Sequence, residues 1–266
     1  MNGASPSFVS GNVDLLKASG LTKTFGGLAA VKNVSFAVRE GMIKAIIGPN
    51  GAGKTTLYDL LTGIYQPDEG GVLFRGKEII GLYTHEITAM GIARTFQTIC
   101  LFPRMTVMEN VMVGLHHRTR AGMLRSSLWF PSARREEAWM AEEALRHLDM
   151  VGLEMQAENM AGALPFGQQR LLEVARALAT SPQILLLDEP ASGLNAYETR
   201  ELGEIIYGIR DMGVTVILVE HDMGLVMRIS DEVLVLDYGE IISEGTPAEV
   251  RNDPRVIEAY LGSELG

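Results

Sequence analysis

The chain has 266 residues, of which 47% are hydrophobic, which suffices for the core of one domain or of a domain with a subdomain. Its 33 acidic residues outnumber its 23 basic residues, and the net charge of −10 disfavours nucleic acid as the main ligand, because phosphate contacts need a basic face. No apolar run approaches the roughly 18 residues that a membrane-spanning helix needs, so any attachment to a membrane is expected to go through another protein.

The N-terminus and the cysteine content both favour a reducing cytosol. Residues 1–14 have no basic start and no sustained hydrophobic block, so we predict a short disordered leader rather than a secretory signal. Cys100 is the single cysteine and cannot form an internal disulfide. Its small side chain predicts a buried position.

The first elements of the chain predict an antiparallel sheet. Between Leu15 and Gly41, glycines separate short alternating or apolar stretches, which are Leu21–Phe25 and Ala30–Val38.

A phosphate-binding loop follows the apolar run Ile43–Ile47 and fills the pattern G-x-x-x-x-G-K-[ST]. Its glycines let backbone N–H groups converge on phosphate oxygens, Lys54 adds a positive charge, and the Thr55 hydroxyl is placed to bind Mg²⁺. The helix that begins near Thr55 turns its positive end toward the anion. The sequence therefore predicts binding of a nucleoside triphosphate by Gly48, Pro49, Asn50, Gly51, Ala52, Gly53, Lys54, Thr55 and Thr56.

Short runs rich in β-branched residues and leucine recur along the chain, and several precede helical patterns. This is the βα rhythm of a sheet with a parallel core. The runs are Ile43–Ile47, Val72–Phe74, Ile184–Leu187, Val214–Val219 and Val233–Leu236. The segment from Gly114 to Glu158 differs, with helical spacing and no strand signal, and predicts an inserted helical subdomain. Near the end, Asp237–Glu240 predicts a hairpin turn, and Val256–Leu261 predicts a short closing helix.

Two carboxylates follow the strand at Ile184–Leu187, at the edge where a parallel sheet would place the phosphate loop. There Asp188 can hold Mg²⁺ through water and Glu189 can polarise an attacking water molecule. His221 ends the next strand, where it can donate a hydrogen bond to a γ-phosphate. Earlier in the chain than both of these segments, Leu164–Arg170 opens a helix, with Pro165 near its start and the Gly167 backbone N–H free to approach an anion.

In this order, the motifs resemble those of an ATP-binding-cassette (ABC) subunit over roughly Leu15 to Leu261. The resemblance implies an α/β fold, namely a P-loop NTPase core with an antiparallel β subdomain and an inserted α-helical subdomain. It implies one domain over residues 15–262, with the core and β subdomain at 15–113 and 160–262 and the helical subdomain at about 114–159.

The resemblance also assigns roles to single residues. Phe25 corresponds to the aromatic residue that stacks on adenine, with a core phenylalanine at a strand end as the alternative. Gln97, in the Q-loop, is expected to contact ATP and to complete the Mg²⁺ ligands with Thr55 and Asp188. The implied catalytic residues are Glu189, His221 and Lys54.

The implied machine is a head-to-tail pair of cassettes, with ATP between the phosphate loop of one and the signature sequence of the other. In this chain the signature is Leu164–Gln168, of which Gly167 and Gln168 would face the partner's ATP, and the D-loop is Ser192–Asn195. ATP binding would close the pair, and hydrolysis would reopen it. Gln97 would lie at a groove that receives a short helix from a membrane subunit.

The signature departs from the usual Leu-Ser-Gly-Gly-Gln, because Pro165 replaces the serine and Phe166 the first glycine. Pro165 has neither the hydroxyl nor an N–H group. We therefore expect a weaker or slower composite site where this signature faces a partner.

An aromatic residue before Gly-Gln-Gln-Arg is similar to one ATPase of the branched-chain amino acid importers. Three further stretches agree, namely Arg94–Val111, the Arg-rich insert His116–Arg135 and Ile257–Gly262. The resemblance implies two different cassettes, two membrane permeases and an external substrate-binding protein, with this chain on the cytoplasmic face of the cell inner membrane. For the basic insert, a solvated helical face is favoured over contact with a permease or lipid.

Several alternatives remain open from the sequence. Within the class, the cassettes for lipopolysaccharide export and for urea or amide uptake are rivals, disfavoured by the altered signature and the long insert. A soluble ABC ATPase acting on ribosomes or DNA is disfavoured by the single cassette and the net charge of −10. A regulatory module without catalysis is disfavoured because Lys54, Asp188, Glu189 and His221 are all present.

Overall fold

The structure is a computed structural model that describes residues 14–116 and 131–263, with the side chains of 131–134 and 261–263 excepted. The predicted leader lies outside the described residues apart from Asp14, with which the first strand begins. Most of the predicted basic insert also lies outside them.

From the phosphate loop onward, the described strands are interspersed with helices. The strands are β1 (Asp14–Phe25), β2 (Leu28–Arg39), β3 (Ile43–Ile47), β4 (Glu69–Phe74), β5 (Lys77–Glu78), β6 (Ile92–Arg94), β7 (Ile184–Asp188), β8 (Thr215–Val219), β9 (Glu232–Asp237) and β10 (Glu240–Gly245). The helices are α1 (Lys54–Leu61), α2 (Thr84–Met90), α3 (Val107–Leu115), α4 (Pro131–Met150), α5 (Phe166–Ala179), α6 (Ala196–Asp211), α7 (Met223–Ile229), α8 (Pro247–Arg251) and α9 (Pro254–Ser263).

Two sheets organise these strands. The first has the order β2-β1-β4-β5 and is antiparallel, as predicted for its first two strands. The run Val72–Phe74 belongs to this sheet and not to the parallel one, because it pairs antiparallel with β1. The second sheet has the order β10-β9-β3-β8-β7-β6, and only the predicted hairpin of β9 and β10 is antiparallel within it.

The parallel strands β3, β7 and β8 are buried along their whole length, which explains their largely apolar sequence. One face packs with α1 against the antiparallel sheet, and the other packs against α3, α4, α5 and α6. Because the strands run in the same direction, their carboxyl ends meet at one edge. Asp188 is the last residue of β7, while Glu189, His221 and the phosphate loop follow strand ends at the same edge, so all of them lie close together.

The helical elements differ from the predicted bounds at several ends. Helix α3 begins at Val107, ahead of the predicted segment, where Thr106 and Glu109 form a capping box. Helix α4 lies inside the predicted helical segment and packs against α3 and α5. Helix α9 runs from Pro254, two residues before the predicted start. Among the described helices, none combines the length and the apolar character that crossing a bilayer requires.

Candidate functional site

The phosphate loop owes its shape to glycines in the left-handed region. Gly48 and Gly53 have φ of 151° and 100°. A Cβ atom at Gly48 would lie 2.1 Å from the Leu236 carbonyl oxygen, and one at Gly53 would lie 2.2 Å from the Ala30 carbonyl oxygen. Neighbouring strands thus approach the loop so closely that only glycine fits at these two positions.

The Lys54 ammonium lies inside the loop. Its Nζ donates to the carbonyl oxygens of Gly48 at 2.7 Å and Pro49 at 2.9 Å. Burial lowers the pKa of Lys54, whereas the nearby carboxylates of Glu189 and Asp188 act in the opposite direction. Helix α1 begins at this residue, so Thr55 and Thr56 lie in its first turn, beside the loop.

Glu189 stands at the centre of the site. Its backbone has a φ of 48°, and its N–H group donates to the Val219 carbonyl oxygen at 2.9 Å. Its carboxylate lies 2.9 Å from Gln97 Nε2 through one oxygen and 2.9 Å from His221 Nε2 through the other. Two residues from separate motifs, Gln97 and His221, therefore converge on the Glu189 carboxylate.

Asp188 is buried beside Glu189 and is held from two sides. Arg94 Nη2 donates to its carboxylate at 2.8 Å, and its backbone N–H group lies 3.3 Å from Thr95 Oγ1. Burial raises the pKa of Asp188, and the Arg94 guanidinium opposes this shift. In this arrangement Arg94 supplies the positive charge that balances a buried carboxylate.

Arg94 is a functional candidate that the sequence analysis missed. Its guanidinium bridges Asp59 of α1, at 2.6 Å, and Asp188 of β7. It also lies 5.4 Å from the Tyr58 ring centroid and 5.2 Å from that of Phe96. The sequence did contain one indication of this role, since Arg94 directly follows the apolar residues Ile92 and Ala93 and lies three residues before Gln97.

We expect Arg94→Met to lower the free energy of unfolding by about 3 kcal/mol, because it removes the guanidinium that pairs with two largely buried carboxylates. The matched control is Arg146→Met, whose ion pairs with Glu142 and Glu143 on α4 are exposed on the arginine side and should contribute less than about 1 kcal/mol. Urea unfolding of both full-length variants measures the difference. Equal losses would contradict the role of Arg94.

Glu220 is a second residue that the sequence analysis passed over. It is buried and accepts hydrogen bonds from the backbone N–H groups of Ala191 at 2.6 Å, His221 at 2.8 Å and Asp222 at 3.2 Å. Burial raises its pKa, and these three donors oppose the shift. The carboxylate thereby joins the loop after β7 to the loop that carries His221.

The last three signature residues, 166–168, lie in the first turn of α5. Pro165 is the N-cap residue, and its side chain makes no capping hydrogen bond. Gly167 and Gln168 therefore lie at an amino end of the helix that Pro165 does not cap. Phe25 ends β1 with 42% of its surface exposed and an edge contact to Tyr65, so the alternative of a core phenylalanine is wrong. Adenine stacking by Phe25 stays a prediction.

Cys100 is exposed, so its predicted burial is wrong. The chain leaves the sheet after β6, and the main chain of Cys100 is held by α5. Its N–H group donates to Glu173 at 3.0 Å and its carbonyl oxygen accepts from Arg176 at 2.6 Å. These backbone contacts fix the segment while the thiol faces outward and contacts the Thr98 carbonyl oxygen.

Comparisons with known proteins agree with this geometry. The sequence model described as ABC transporter matches residues 31–192, and the model described as branched-chain amino acid ATP-binding cassette transporter matches residues 240–265. The high-affinity branched-chain amino acid transport ATP-binding protein LivG of Salmonella typhimurium is 47% identical over 249 residues, which are 93% of this chain and 98% of that protein.

Solved structures give the same result. The ADP conformation of an ATP-binding cassette of an ABC transporter has a TM-score of 0.83 and 34% identity, and covers 94% of this chain and 99% of its own. A dimeric cassette in a post-hydrolysis state, bound to ADP and Pi, has a TM-score of 0.74 and 28% identity over 87% of this chain and 98% of its own.

Proposed function

The chain belongs to the ABC transporter family, and from this premise we propose that it is the ATP-hydrolysing subunit of an importer of branched-chain amino acids. The observation that carries the substrate class is the likeness to LivG over 98% of that protein, which agrees with the separate match of the C-terminal segment 240–265 to the branched-chain amino acid cassette model. That segment begins with β10, directly after Gly239, whose N–H group donates to the Ala52 carbonyl oxygen at 3.0 Å.

The site supports hydrolysis of the γ-phosphate bond by water. Glu189 is the proposed group that orients and polarises this water, since it is the carboxylate at which Gln97 and His221 meet. His221 is placed to hydrogen-bond the γ-phosphate, and Lys54 to bind the phosphate oxygens in place of its two carbonyl partners. The glycines of the loop leave the backbone N–H groups accessible to the same oxygens.

Thr55 and Asp188, with Gln97, are the residues that we propose to hold Mg²⁺. Their oxygen atoms are the hard ligands that this ion prefers, and the Asp188 carboxylate lies near enough to Lys54 of the phosphate loop to affect the pKa of that lysine. The described residues contain no cluster of three or more acidic, histidine or cysteine side chains that could cage a metal, which fits an ion shared with phosphates. When bound, the ion neutralises charge on the phosphate groups.

A groove beside the Q-loop is the proposed dock for a short helix of a membrane permease. Its cavity of about 320 Å³ is lined by residues that include Arg94, Thr95, Glu173 and Arg176. Phe102, which is 46% exposed, supplies an apolar wall. Because Arg94 and Thr95 also contact Asp188, a helix in this groove would touch the residues that hold the site.

The proposed assembly contains two different cassettes, two permeases and an external substrate-binding protein, with this chain on the cytoplasmic face of the cell inner membrane. ATP held between the phosphate loop of one cassette and Gly167 and Gln168 of the other would favour the closed pair, and hydrolysis would release it. The dimeric structure of a cassette bound to ADP and Pi, at 28% identity, supports the pairing of two cassettes in this proposal.

Reconstitution of the complex tests the substrate class. The chain is co-purified with its permeases and partner cassette, placed in vesicles, and its ATP turnover is measured with the binding protein and one solute at a time. Leucine, isoleucine and valine are expected to raise turnover severalfold over the binding protein without solute. Stimulation by urea, with none by these amino acids, would contradict the proposal.

A further inference from the structure

The aromatic residue in the signature makes a contact that a glycine could not make. Gly193, in the D-loop (residues 192–195), has a φ of 81°, and a Cβ atom at that position would lie 2.8 Å from Phe166 Cε1. The Phe166 ring therefore occupies the space next to this glycine. About half of its side chain stays exposed, so the ring rests on the D-loop from outside the core.

The other partner of the ring is a buried arginine one helical turn later. The Arg170 guanidinium lies 5.4 Å from the Phe166 ring centroid and is 6% exposed. It donates to the carbonyl oxygens of Phe96, at 3.0 Å, and Gln97, both in the Q-loop (residues 95–100). Glu173 lies 3.5 Å from Arg170 and accepts the Cys100 N–H group, which anchors the same loop to α5.

We propose that Phe166 and Arg170 are positioning residues that join the Q-loop to the D-loop within one subunit. The contacts run from the Q-loop carbonyl groups through the guanidinium and the ring to Gly193. Both loops flank Glu189, since Gln97 contacts its carboxylate and the D-loop follows it in sequence. A displacement of one loop is thereby transmitted to the other without passing through the nucleotide.

This role gives the altered signature a physical purpose. Glycine at position 166 would remove the aromatic ring that lies beside both the Arg170 guanidinium and Gly193. The two loops would then be linked to α5 separately. The inference uses the ATPase assignment but neither the permeases nor the solute, so it can fail while the proposed transport function stands.

Hydrogen exchange in the full-length chain tests the link directly. The reporters are peptides that contain Leu194, whose N–H group donates to the Ala191 carbonyl oxygen, and Cys100, whose N–H group donates to Glu173. Phe166→Gly is expected to raise exchange in both peptides by about threefold or more, because packing and a cation–π contact are lost. Phe166→Tyr, which keeps the ring, is expected to leave the exchange rates of both peptides at their wild-type values.

Substitutions of two arginines in α5 test whether the Q-loop and the D-loop are linked to each other or are independent. Arg170→Gln is expected to raise exchange in the D-loop peptide as well as in the Q-loop peptide. The matched control is Arg176→Gln, because Arg176 binds the Cys100 carbonyl oxygen and lies over Phe102 rather than Phe166. It should affect the Q-loop peptide alone.

Phe166→Leu keeps an apolar side chain but removes the aromatic face. Because residue 166 is half-exposed, this variant is expected to fold, and it tests the link between the loops even if Arg170→Gln does not fold. It is expected to raise exchange in the Q-loop peptide, because the Phe166 ring acts on that loop through the Arg170 guanidinium. Unchanged Q-loop exchange in Phe166→Leu and Phe166→Gly would overturn the proposal. So would an unchanged D-loop peptide in a folded Arg170→Gln protein.

Discussion

Glu189→Gln is expected to reduce ATP turnover by about two to four orders of magnitude while ATP binding is retained. The glutamine side chain keeps the shape of the carboxylate and can still meet Gln97 and His221, but it cannot accept a proton from the attacking water. The phosphate loop and Lys54 are unchanged, so the affinity for ATP should vary little.

Single-turnover hydrolysis in the assembled complex, together with equilibrium ATP binding, measures these two quantities separately. Glu204→Gln is a suitable control, because it makes the same chemical change at an exposed carboxylate of α6. A Glu189→Gln protein that binds ATP and keeps full turnover would remove Glu189 from the role of base.

Gly53→Ala is expected to lower the free energy of unfolding by about 3 kcal/mol and to weaken ATP binding at least tenfold. The new methyl group would meet the Ala30 carbonyl oxygen at 2.2 Å, and a φ of 100° is itself unfavourable for alanine. Since the obstacle is backbone of β2, the loop and not a side chain must move.

Gly41→Ala isolates the cost of the backbone conformation. Gly41 has a φ of 74°, and a Cβ atom there would have no neighbour within 4 Å, so the expected loss is only about 1 kcal/mol. Urea unfolding and binding of a fluorescent ATP analogue compare the two variants. If both lose the same stability and both bind ATP normally, the close approach of β2 does not shape the phosphate loop.

Contiguous patterns made the phosphate loop and most strands of the parallel sheet predictable. The loop glycines, Lys54 and the apolar run before them lie within a dozen residues, and each fully buried strand carries its own apolar signature. The parallel direction of the strands then implies that Asp188, Glu189 and His221 share an edge. The sequence therefore predicted which of these motif residues would lie together at the site.

Contacts between distant segments were not predictable in the same way. Strand β6 has only three residues and exists because it pairs with β7, about ninety residues later. Arg94 acquires its role from Asp59 and Asp188 together, and Cys100 is exposed because α5 holds its backbone. Such features depend on tertiary neighbours that no local pattern specifies.

The position of Lys54 has a consequence for how fast the protein responds to its nucleotide supply. Because the ammonium is held by two carbonyl groups of its own loop, the loop keeps its curvature through internal contacts. Nucleotide entry then exchanges one set of partners for another and requires little ordering of the chain. Nucleotide binding to each cassette should therefore follow the cellular ratio of ATP to ADP closely. The pairing of the two cassettes is then expected to be the slower step.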